Sequence, residues 1–137
     1  MIMRNFMLLF SFVFIQLLNA QEIEIPKTVT FYAKDSVIVT ADTYFIKDVK
    51  PTILLCHQAG YSRGEYIKTA KKLNALGYSC MAIDQRSGNE VNGIQNQTAI
   101  DAKIKSRNVG FAGAKQGGEA AINYLYEMNG KQRIILI

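Results

Sequence analysis

Three short, mainly apolar runs, "TILLC" at 52–56, "YSCMAID" at 78–84 and "RIILI" at 133–137, constrain this chain more than any other feature. Each is too short for a core helix and lacks the alternation of a strand with one wet face. They suit strands buried on both sides, as parallel strands under two helical layers are. Between the first two runs the period changes: Tyr66, Ile67, Ala70, Leu73 and Leu76 share one helical face, with Lys68, Lys71 and Lys72 opposite, and Gly77 supplies the stop. A helix is therefore expected over 64–76. Strand, helix and strand at this spacing make a βαβ unit with a right-handed crossover.

The flanking segments extend the pattern. Residues 28–32 alternate, "AKDS" offers turn chemistry, and 37–46 ("VIVTADTYFI") are rich in β-branched and aromatic residues, which predicts an antiparallel hairpin. From 85 to 110 the chain is polar and rich in Asn, Gln and Gly, with a short helical turn expected at 98–104. Helical period returns over 112–128 through Ala114, Ala121, Ile122, Leu125 and Tyr126, and "NG" ends it before the third run. The expected class is α/β: a hairpin followed by βαβ units of a mostly parallel sheet in a three-layer sandwich. A doubly buried strand should lead into a turn and a covering helix, so the domain is expected to be incomplete at Ile137.

At 137 residues one domain is expected. Residues 1–20 carry Arg4, an apolar run at 6–15 and a small residue, Ala20, before "QEIEI". This predicts a cleaved signal peptide, a domain over 21–137 and a periplasmic or secreted product; the run is too short for a stable membrane anchor. The net charge of +5 is dispersed, with no basic stripe, so no nucleic-acid partner is expected. Cys56 and Cys80 fall at opposite ends of their strands and are expected to be buried free thiols.

A literal G-x-S-x-G, Gly60 to Gly64, follows the first run. Such a turn can lift a serine hydroxyl out of a sheet, but a serine nucleophile needs a base. His57 is the only histidine and precedes Ser62, the reverse of the hydrolase order. Ser62 is accordingly expected to cap the following helix or hold the loop. One histidine and two strand cysteines make no metal-ligand set. A complete flavodoxin-like domain would need phosphate-cradling loops, and "HQAGYSRG" lacks the Walker lysine pattern.

"LLCHQAG" after the hairpin and first buried run, "AIDQRSGNE" at 82–90 and "AGAKQGGEAAINYLYEMNGKQRIILI" at 112–137 together resemble the N-terminal half of an α/β hydrolase of the dienelactone-hydrolase-like group. The likeness extends over essentially all of 21–137 and stops before the nucleophile elbow. Gln58 and Ser87 stand where that group has glycines. The resemblance implies hydrolysis of a small-molecule carboxylic ester or related acyl bond by a serine, or less often cysteine, nucleophile with a later acid and histidine. It implies no cofactor. Carried over by position, Ala59, with Gln58 as the neighbouring alternative, would offer a backbone N–H to the oxyanion, and His57 would orient that loop. Asp84 and Arg86 would tie the turn after the fourth strand. No catalytic nucleophile, acid or histidine is read in these residues. The alternative is an inactive, truncated or partner-dependent binding or structural half-domain, self-associating through the unpaired edge at "RIILI".

Overall fold

The computed structural model describes residues 26–47 and 51–137. The expected leader lies outside the described residues, and among these no helix is long and apolar enough to cross a membrane. Five strands, β1 (Lys27–Tyr32), β2 (Ile38–Tyr44), β3 (Thr52–Cys56), β4 (Ser79–Ile83) and β5 (Ile134–Leu136), form one sheet in the order β1-β2-β4-β3-β5. β1 and β2 are the expected antiparallel hairpin, with Lys27 opposite Thr43 and Tyr32 opposite Ile38. β2 is also antiparallel to β4, whereas β3 is parallel to both β4 and β5. Four of the five strands therefore run in one direction, and the α/β sandwich read from the apolar runs is the observed architecture.

Helix α1 (Ile67–Ala75) joins β3 to β4; α2 (Gln97–Ile104) and α3 (Phe111–Met128) lie between β4 and β5. Because β4 and β5 flank β3 on opposite sides, right-handed crossovers place their helices on opposite faces. The packing agrees. Ala70 of α1 is buried with Tyr44, Ile53, Leu55, Cys80 and Ala82. Ala121 and Leu125 of α3 are buried on the other face with Ala41, Leu54, Met81 and Ile83. Each large aliphatic side chain so buried contributes roughly 1.5–3 kcal/mol. The two cysteines lie on these opposite faces, Cys80 toward α1 and Cys56 toward α3, and both are free.

The helix expected over 64–76 begins instead as a 3-10 turn, Arg63–Tyr66, before α1. The expected turn at 98–104 is the full helix α2, capped by Asn96. α2 has a structural task that its weak amphipathicity conceals. β2 runs beyond its pairing with β4, and its spare amides are taken by α2: Thr40 N–H donates to Thr98 Oγ1 at 2.9 Å and Ile38 N–H to Asp101 Oδ2 at 2.7 Å. A buried strand amide without such a partner is costly. β5 differs from the expected doubly buried strand. Ile134 is half-buried under α3, while Leu136 is 62% exposed.

Candidate functional site

The strand order doubles back at β3, and the crevice at the carboxyl ends of strands around such a reversal is where open α/β sheets bind ligands. The segment after β3, 57–62, and that after β4, 84–96, meet there. They are clasped by two backbone hydrogen bonds, Gly60 N–H to Ser87 O at 3.2 Å and Asn89 N–H to Gly60 O at 3.1 Å. The approach is close: a Cβ on Gly88 would stand 1.8 Å from Tyr61 O. Among the described residues no three His, Cys, Asp or Glu side chains gather as a metal-ligand group.

His57 is 2% exposed. Its Nε2 accepts from Gln85 N–H at 2.8 Å, so its ring proton sits on Nδ1, which donates to Gln58 O at 2.8 Å. The Gln85 side-chain amide returns a hydrogen bond to His57 O. Both ring nitrogens are thus engaged in holding 57–58 against the start of the β4 loop.

Gln58 and Ala59 are exposed just past the carboxyl end of β3, but their amides differ. Gln58 N–H donates to Glu65 Oε2 at 3.0 Å. Among the described residues, Ala59 N–H has no hydrogen-bond partner. Of the two amides considered from sequence, Gln58 is occupied from within the chain and Ala59 is free to meet an incoming acceptor. Tyr66, whose hydroxyl donates to Cys56 O at 3.0 Å, braces the end of β3 beneath them.

Ser62 is fully buried. Its hydroxyl donates to Ile94 O at 2.6 Å and accepts from Gly64 N–H at 3.2 Å, capping the 3-10 turn. The glycines around it have backbone reasons. Gly60 has φ +90°, and a Cβ on Gly64 would lie 2.3 Å from Val91 O. Burial pushes the Cys56 thiol at the end of β3 up to about 11, and Cys80 likewise to about 11. Neither is a ready nucleophile.

Asp84 and Arg86 do not pair with each other. Asp84, fully buried, accepts from Arg63 N–H at 2.8 Å, from Arg63 Nη1 at 2.7 Å and from Gln97 N–H at 2.8 Å. Arg86, with 1% of its side chain exposed, crosses to the β1–β2 turn and grips both oxygens of Asp35. Hydrogen bonding to Arg86 holds the Asp35 carboxyl below its ordinary value. The turn after β4 is thus anchored to two other elements, because each buried charge needs an opposite partner wherever the fold brings one. Arg63, Glu65, Gln85 and Asn96 were not singled out from sequence. Asn96 alone carried a local signal, an Asn directly before a helical segment.

No family model matches the chain, and no curated protein does. Solved structures do. A cold-adapted esterase from an Arctic intertidal metagenomic library aligns at TM-score 0.57 and 19% identity over 84% of this chain and 52% of that one. A hypothetical protein from Pseudomonas aeruginosa aligns at TM-score 0.52 and 21% identity over 80% of this chain and 32% of that one. The chain thus spans about a third and about half of the lengths of these two proteins. The likeness is one of fold: this chain has a mixed α/β sheet similar to that of the esterase.

Proposed function

We propose that these residues form the first half of the catalytic domain of an exported hydrolase of carboxylic esters or related acyl bonds, in the dienelactone-hydrolase-like group. One observation carries the reading: the exposed Ala59 N–H, without a partner among the described residues, at the carboxyl end of β3 where the strand order reverses. In such hydrolases the loop after the third strand donates one oxyanion amide, and the residue after the nucleophile donates the other. A single such donor is worth about 3–4 kcal/mol of barrier. His57 and Ser62 serve as supports in this reading, since His57 Nε2 already accepts a hydrogen bond and Ser62 Oγ–H already donates one. It puts the nucleophile on the turn that leaves β5, with the acid and catalytic histidine further on.

The test is hydrolysis of a chromogenic short-chain ester by the full-length gene product, with a fluorophosphonate probe to mark the nucleophile. Hydrolysis with labelling at a serine beyond Ile137 is expected; labelling of Ser62 or absence of turnover would overturn the reading. Export is tested separately by the intact mass of secreted protein. Cleavage between Ala20 and Gln21 is expected, and a membrane-retained chain beginning at Met1 would contradict it.

The second reading, a partner-dependent half-domain without catalysis, draws on the exposed side chains Ile135, Leu136 and Ile137 along β5. It predicts a full-length product that binds a partner strand and turns over no ester.

A further inference from the structure

The free Ala59 amide is useful only if the loop that carries it keeps one shape, and the loop's own bonds do not account for that. Residues 58–61 are exposed, and the clasp to 87–89 is two backbone hydrogen bonds. His57, Gln85 and Glu65 fasten its first two residues; the side chain that ties its far end, at Tyr61, to the interior lies 35 residues away, in Asn96.

Asn96 is 2% exposed. Its Nδ2 donates to Tyr61 O at 3.0 Å and to Gln85 O at 2.8 Å, and lies 3.3 Å from His57 Nε2. Its Oδ1 accepts from Ala99 N–H at 2.8 Å, which caps α2. The amide orientation is set by this environment: two carbonyls need the donor and a helix amide needs the acceptor. One buried side chain thus joins the segment after β3, the segment after β4 and the start of α2. Both amide hydrogens are spent on loop carbonyls, one on each side of the crevice. A Cβ added at Gly88 would also lie 2.6 Å from Nδ2, so the loop after β4 can approach Asn96 this closely only with glycine there.

We infer that Asn96 is a positioning residue: its Nδ2, through Tyr61 O, Gln85 O and the edge of His57, holds segment 57–61 in the form that presents the Ala59 N–H. This rests on the hydrolase reading for its catalytic meaning, but the loop-holding role can be measured without turnover. A buried amide that satisfies two carbonyls leaves both orphaned when it is removed, whereas a helix cap can be replaced by Asp or Ser. The two halves of the side chain can therefore be separated.

The experiment is amide hydrogen exchange on the full-length protein and its Asn96→Asp variant, which keeps the cap oxygen and loses the donors. Exchange protection at Gly60, Tyr61, Gln85 and Asn89 is expected to fall about tenfold or more, with Ala102 and Lys103 in α2 within about twofold. In the ester assay kcat should fall at least about tenfold with KM within about twofold, because the amide acts in the transition state. If the carboxylate variant does not fold, Asn96→Ser, an uncharged cap too short to reach either carbonyl, repeats the measurement. A folded variant with unchanged loop protection, or one losing protection equally in α2 and the loops, overturns the inference. A wild-type protein without turnover sinks the hydrolase reading instead, and the exchange result still decides the role of Asn96.

Discussion

Ser62 and Ala59 sit in one loop, yet the serine hydroxyl is spent on Ile94 O while the alanine amide is unspent. Ser62→Ala should therefore leave kcat/KM of the full-length product within a few-fold, with a loss of about 1 kcal/mol in stability from the missing cap. Ala59→Pro removes the free N–H and should lower kcat by about 100-fold or more. The reverse ranking would reassign the loop. The thiols offer an independent check of burial. With both pushed up to about 11, the thiolate fraction at pH 8 is about one in a thousand, so Cys56 and Cys80 should resist iodoacetamide until the protein is unfolded in urea. Rapid labelling of the native protein at pH 8 would contradict this packing. What could be read at this scale was what one residue's neighbours in sequence decide. The cap role of Ser62 followed from its place before a helical period, and its lack of a base from a count of histidines. Asn96 escaped because its partners, Tyr61, Gln85 and His57, become neighbours only when two loops meet.

Elements in this molecule are held to one another by buried charges as well as by apolar faces, and the hairpin shows it. The β1–β2 turn is fastened to the β4 loop by Asp35 and Arg86, with 21% and 1% of their side chains exposed. Asp35→Asn leaves the Arg86 guanidinium without its counter-charge and should cost about 2–4 kcal/mol in urea unfolding at pH 7. The pH dependence has a definite sign. Since the folded carboxyl lies below its ordinary value, this stabilisation is complete above the unfolded value of about 3.9 and fades as pH falls through the lower folded value. Asp35→Asn should therefore flatten the loss of stability below pH 4, and equally steep curves for the two proteins would rule the pair out as its source. The elements themselves were legible to within a few residues where periodicity spoke, as in α3 and the three apolar runs. α2 was underestimated because Thr98 and Asp101 reach β2 amides across the fold, which no helical period records.

At the scale of the whole molecule, the sandwich is well filled around β3 and β4 and open at β5, where Ile135, Leu136 and Ile137 are 37%, 62% and 58% exposed. Full burial of such a side chain is worth roughly 1.5–3 kcal/mol, so the half-wet three together forgo about 2–5 kcal/mol against the roughly 5–15 kcal/mol by which domains are stable. Residues 21–137 purified alone should self-associate on sizing and hydrolyse no ester above background. A soluble monomer with a cooperative melt and probe labelling at Ser62 would refute this. The architecture was readable from three apolar runs because a strand covered on both sides has few other places to go; the anchoring of the turns was not, because ionic partners are chosen by topology. Asn96 carries one more consequence, for how the protein can be made. Asn96-Gln97-Thr98 is an acceptor triplet for N-linked sugar, and such glycans need a solvent-facing asparagine. Here that nitrogen is enclosed and bonded on the inside of the fold. A host that attaches oligosaccharide to nascent secreted chains would modify Asn96 before it is enclosed, and the sugar would keep the two loops apart. Production in a host without that machinery, or with Thr98 replaced by Val at the expense of one β2 hydrogen bond, avoids a glycoform that cannot close.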